Sequence, residues 1–118
     1  MGGSQEGRPH PAETLARIVT EGSRDKLIFL AFMTQTCPGC KETYEALKKF
    51  SSAHGQAVEV VVVDADRHPS ISLAYQVRGV PTLVVYGRQR PLFTETGPKS
   101  KRNLEKMFKM ARSMLPGS

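Results

Sequence analysis

The hydrophobic pattern of this chain changes period several times, and each change marks an element. Residues 11–21 set Leu15, Ile18 and Val19 on one helical face, with Gly22 as a stop. Residues 27–33, "LIFLAFM", are apolar without alternation, the pattern of a central strand covered on both faces. From 38 to 54 the period is helical: Cys40, Thr43, Tyr44, Leu47 and Phe50 share one side, lysines the other, and His54-Gly55 closes the run. Residues 57–64, "AVEVVVVD", read as a second strand, and 66–76 as a short helix carrying Ile71, Leu73 and Tyr75. "TLVVY" (82–86) and "PLFTET" (91–96) flank the turn 87–90 and predict an antiparallel hairpin. After Gly97 and Pro98, Ser100 can cap a last helix in which Leu104, Met107, Phe108, Ala111, Met114 and Leu115 recur at helical spacing. Its methionines read as core filling.

A chain of 118 residues, 39% hydrophobic and 24% charged, has the makeup of one globular domain with one core. The periodic pattern begins at residue 11, so 1–10 read as a flexible leader or cloning scar and 11–118 as the single domain. No apolar run approaches the roughly 20 residues that cross a bilayer. The leader also lacks the apolar stretch of a signal peptide. A cytoplasmic location is therefore expected, with a periplasmic or other extracytoplasmic one open if a signal was removed. The net charge of +6 is concentrated at Lys99, Lys101, Arg102, Lys106 and Lys109. No aromatic residues interleave there to stack bases, so this is read as the solvated face of a terminal helix, and nucleic-acid binding is not expected.

Cys37 and Cys40 are the only cysteines, separated by Pro38 and Gly39 at the junction of a predicted strand and a predicted helix. Such a pair can be a redox couple, half of a metal site or a structural staple. A zinc site needs about four ligands, and the candidates His10, His54 and His68 are scattered without ligand spacing. No metal is expected; His54 reads as a helix C-cap, and His10 and His68 as surface residues. A staple closing so short a loop removes little chain entropy. A thiol protease needs a positioned histidine, for which the sequence gives no sign. The redox reading fits best. A sulfur at a helix N-terminus faces unpaired N–H groups and the positive end of the helix dipole, which favour its thiolate. That makes Cys37 the nucleophile. Pro38 falls at the first helical position, where proline is best tolerated. Cys40, one turn further in and more buried, can attack a mixed disulfide that Cys37 has made with a client.

Taken together, "TCPGCK" after an apolar strand, "VEVVVVDAD", "YQVRGVPTLVVY" and the later Gly97 resemble the thioredoxin superfamily over residues 26–115. The resemblance implies an α/β fold, thioredoxin-like, with a central mixed sheet of about four strands flanked by helices. It implies that Cys37 attacks, that Cys40 resolves, and that Val80-Pro81 is a cis bond beside them. Val80, Pro81 and Gly97, with Pro38 and Gly39 between the cysteines, would line the groove where an extended client peptide docks. Lys41 matches a basic residue after the second cysteine.

Several departures accompany these matches. Thr36 stands where thioredoxins carry an aromatic residue, and the chain has no Trp. The family's buried Asp on the central strand falls at Ala31 and its companion Lys at Val62, so both members of that pair are apolar. In the family this Asp helps to deprotonate the resolving cysteine, so Cys40 is expected to attack more slowly. The kinking proline of the active-site helix falls at Glu45, and no apolar strand precedes the first helix, which favours four strands over five. Pro38 in the first intervening position is similar to glutaredoxins and to oxidising periplasmic thiol proteins. "VVYGRQRPLF", however, lacks the glutathione-binding segment of glutaredoxins. The sequence therefore reads as a monomeric protein-disulfide oxidoreductase without metal or organic cofactor, serving protein thiol or disulfide substrates and a redox partner it does not identify. The alternative is a client-binding or scaffold module of the same fold with little turnover.

Overall fold

A computed structural model describes residues 11–116; residues 1–10, read above as a leader and including His10, lie outside the described residues. In chain order they form α1 (Pro11–Gly22), β1 (Leu27–Met33), α2 (Pro38–His54), a 3-10 turn (Gly55–Ala57) and β2 (Val58–Asp64). There follow α3 (Pro69–Ala74), β3 (Thr82–Gly87), β4 (Arg90–Thr96) and α4 (Lys101–Ser113). Among the described residues no helix is long and apolar enough to cross a membrane.

The strands make one mixed sheet in the order β2-β1-β3-β4, with β1 parallel to β2 and antiparallel to β3. Flanked by strands on both edges and by helices on both faces, β1 is buried at all seven positions, which is why its sequence is apolar without alternation. Its alternate residues still serve different layers. Leu27, Phe29, Ala31 and Met33 meet Leu47 and Phe50 of α2 and Leu104, Met107 and Phe108 of α4. Ile28, Leu30 and Phe32 meet Leu15 and Val19 of α1 and Ile71 of α3. The first layer carries most of the aromatic packing: Phe50 lies edge-on to Phe29 with centroids 4.9 Å apart and touches Phe108 at 6.1 Å.

Several helical-face assignments require correction. Ile18, Tyr44, Leu73 and Met114 are exposed, Leu73 at 79%. Ile18, Tyr44 and Met114 sit at the borders of their apolar stripes, and Leu73, two residues from the buried Ile71, lies on the opposite face of its helix. The helix expected over 66–76 is only Pro69–Ala74. Asp64 Oδ1 accepts the N–H groups of Asp66 and Arg67 and holds the intervening residues in a turn, and Pro69 then opens the helix. The hairpin turn is tighter than 87–90, because Gly87 and Arg90 already pair and Arg88 and Gln89 alone connect the strands. His54 does more than end α2. Its Nε2 meets Glu105 Oε1 at 2.8 Å while its ring packs on Phe108 at 4.1 Å, tying α2 to α4. The positive φ of 57° that terminates the helix belongs to Gly55.

The basic cluster is partly neutralised locally. Lys99 pairs with Glu95 at 3.3 Å and Lys101 with Glu105 at 3.8 Å, both one helical turn or its equivalent apart.

Candidate active site

Cys37 is the N-cap residue of α2, with extended φ and ψ of −75° and 122°, and Pro38 occupies the first turn. The chain turns from β1 into α2 over Thr34, Gln35 and Thr36, which puts Cys37 at the C-terminal end of the central strand and at the positive end of the helix. The N–H of Cys40 donates to Cys37 C=O at 3.2 Å, closing the first turn. The two sulfurs form a disulfide, with Cα atoms 5.3 Å apart. Their environments differ: Cys37 is half-buried, whereas Cys40 is 4% exposed and belongs to the core.

The second wall is the loop before β3, in which Val80-Pro81 is cis. Pro81 is buried, and Val80 is half-buried against the core that contains Cys40. The backbone of Val80 makes no hydrogen bond among the described residues. Below it, Thr82 Oγ1 donates to Gly79 C=O at 2.6 Å and lies 3.1 Å from Thr96 Oγ1, which fixes the loop to the end of β4.

Gly97 completes the third side. Its φ of 109° lies in the region that favours glycine, and its N–H donates to Pro81 C=O at 2.8 Å. That N–H is therefore occupied by the protein itself. Gly39 also has a steric role, because a Cβ there would collide with the ring of Pro98. Absence of a side chain at 39 lets the 97–99 segment lie directly on the first turn of α2. Of the seven residues singled out in the sequence, Cys37, Cys40, Gly39, Val80, Pro81 and Gly97 converge in this way, and Pro38 stands exposed beside them. Lys41 faces away from this wall, into a hollow with Tyr44, Val62 and Asp64.

Thr43 was missed as a site residue because a threonine inside a helix pattern reads as core. It is fully buried, yet its hydroxyl donates to Gly39 C=O at 2.8 Å and accepts the N–H of Lys99 at 3.0 Å. One side chain thus joins the cysteine turn to the Gly97 loop. Tyr75, packed on Phe32 at 5.3 Å on the opposite layer, has its phenol pKa pushed above the ordinary value, by burial first and then by neighbouring Tyr86.

The family model for Thioredoxin matches residues 10–110. Thioredoxin-1 of Drosophila melanogaster is 28% identical over 93 residues, covering 79% of this chain and 87% of that protein. Thioredoxin of Rhodospirillum rubrum is 32% identical over 72 residues, 59% and 69% of the respective chains. Human protein disulfide-isomerase A6 matches at 33% over 66 residues, 56% of this chain but 15% of its own length. Among solved structures, chloroplastic thioredoxin z superposes with a TM-score of 0.76 at 20% identity, over 86% of this chain and 89% of that one. Fasciola hepatica thioredoxin gives 0.74 at 21%, over 84% and 92%. The family match, the curated relatives and the Cys37–Cys40 disulfide agree: this chain belongs to the thioredoxin family and is a protein thiol–disulfide oxidoreductase.

Proposed function

We propose that Cys37 is the attacking cysteine and Cys40 the resolving one, and that the couple is more oxidising than thioredoxin itself. The observation that carries the role assignment is the contrast in position: Cys37 caps α2 half-buried, while Cys40 is enclosed one turn behind it. A client disulfide can reach the first sulfur and not the second. Attack by the Cys37 thiolate gives a mixed disulfide, which Cys40 then opens, leaving Cys37–Cys40 oxidised and the client reduced; the reverse sequence oxidises a client. The client backbone would pair with Val80, whose N–H and C=O are unengaged among the described residues, and run along Pro81 in extended form.

The redox poise follows from what surrounds the sulfurs. A more stable Cys37 thiolate stabilises the reduced form and makes the couple a stronger oxidant. The helix N-terminus acts in that direction. At Ala31, which pairs with Val62 across the sheet, no buried anion opposes the thiolate. A glutathione titration should therefore place the potential above thioredoxin's value of about −270 mV. A potential at or below that value would refute this part of the proposal. Acceleration of insulin reduction by dithiothreitol tests turnover on a protein disulfide. The chain is expected to act as a monomer with a separate redox partner.

A further inference from the structure

Cys40 must lose a proton before it can attack the mixed disulfide on Cys37, because the thiolate is the nucleophile. It sits in the core beside Phe29 and Leu47, where burial works against a thiolate. The strands behind it supply no acceptor: Ala31 and Met33 of β1 and Val60 and Val62 of β2 are all apolar. A cavity of about 340 Å3 does reach Cys40 from the side opposite Pro81. Met33, Tyr44 and Val62 form its apolar walls, and Asp64 is the one carboxylate among the described residues that line it.

Asp64 ends β2 and pairs with Met33. Its Oδ1 accepts the N–H groups of Asp66 at 3.0 Å and Arg67 at 3.2 Å, which fixes the carboxylate. Oδ2 has no hydrogen bond among the described residues. The hollow is roomy enough for several waters of about 30 Å3 each, with Thr34, Gln35 and Lys41 on its rim as polar partners.

We propose that Asp64 is the proton acceptor for Cys40, taking the thiol proton through water in this hollow as Cys40 resolves the mixed disulfide. The Cys40 S–H bond breaks and its proton passes by water to the carboxylate. The sulfur then bonds to Cys37 Sγ as the bond from Cys37 to the client breaks. The client leaves with the electron pair as a thiolate, and the proton returns to it or to solvent. Cys37 and Cys40 are oxidised and the client is reduced, so no other reagent is needed. The slow attack expected from Ala31 alone is thereby offset by a carboxylate on the neighbouring strand. Among the described residues, the charged groups facing Asp64 are Lys41 from α2 and Asp66, Arg67 and His68 from the segment after β2, and α1 contributes Leu15.

This inference rests on the roles given to Cys37 and Cys40, and the test separates the two. A mixed disulfide of Cys37 with an aromatic thiol is formed at low pH, located by mass, and jumped to a series of pH values. Departure of the coloured thiolate reports attack by Cys40. An adduct found on Cys40 would sink the role assignment. With the adduct on Cys37, Asp64→Asn should slow release at neutral pH by about 10²-fold, the lower end of a positioned proton-transfer group's contribution, and move the pH profile upward. Asparagine keeps the acceptor for the Asp66 and Arg67 N–H groups, so the turn survives. Asp64→Glu should recover part of the rate. A profile identical to that of the unaltered protein, or a uniform fall without a change of shape, would overturn the proposal. Faster release at neutral pH would also overturn it, since it would mean that the Asp64 charge only repels the thiolate.

Discussion

Toward Pro81, the disulfide is flanked by backbone already held in place: Gly97 N–H on Pro81 C=O at 2.8 Å, Lys99 N–H on Thr43 Oγ1 at 3.0 Å, and Pro98 lying over Gly39. Toward β2, the same disulfide borders a hollow walled by Tyr44 and Val62, each 44% exposed. One flank presents the unengaged loop backbone of Val80 on a fixed frame, and a frame ordered in advance lowers the cost of binding an extended peptide. The other flank leaves space beside the cysteine that must release a proton. On the roles proposed above, docking and proton transfer fall on opposite sides of one sulfur pair.

The largest way to break this comparison is to put a charge under the open flank. Ala31→Asp would bury a carboxylate against Val62, where no cation answers it. The expected loss is about 3–5 kcal/mol at neutral pH, the cost of an uncompensated buried charge, read from urea unfolding of the oxidised protein. Burial raises the folded-state pKa of that Asp above the unfolded value of about 3.9. The native state then holds the proton over a range in which the unfolded state has lost it, so stability falls as pH rises. The deficit should be small below about pH 4 and grow with pH until the folded-state pKa is passed.

On the closed flank, Thr43→Val keeps the shape but removes the hydroxyl that serves Gly39 and Lys99. Leaving those two backbone groups without their partner should cost about 1–2 kcal/mol by the same measurement. It should also loosen the Gly97 loop, seen as faster amide exchange at Lys99. Val62→Thr, on the exposed edge of the hollow, should change stability by no more than about 0.5 kcal/mol. Equal losses from the two substitutions would remove the distinction between the flanks.

The reach of the sequence can be judged from particular residues. β1 was legible because a strand with two covered faces must be apolar throughout, and Cys37 because strand, Cys-Pro-Gly-Cys and helix follow directly on one another. Ser100 announced α4 as a cap, and the structure adds the reciprocal bond, in which Ser100 N–H donates to Asn103 Oδ1. What escaped depended on partners distant in the chain. Thr43 and Lys99 meet across 56 positions of the chain. Ile18 follows the helical period of the buried Leu15 and Val19, and only its place at the edge of that face, uncovered among the described residues, sets it apart. The hairpin turn uses Arg88 and Gln89 at φ of 51° and 67°, without the usual Asn-Gly signal. Ser23, far back in the chain, holds it: its C=O accepts the N–H of Arg88 and its hydroxyl that of Gln89.

Division of labour between the two sulfurs is the central claim, and trapping tests it most directly. Cys40→Ser and Cys37→Ser would each be incubated with a disulfide-bearing client protein, and the covalent adducts counted by mass after thiol blocking. The expected result is a stable mixed disulfide on Cys37 in the Cys40→Ser protein and none on Cys40 in the Cys37→Ser protein. Adduct accumulating on Cys40 instead, or equally on both, would contradict the assignment of Cys37 as the attacking cysteine.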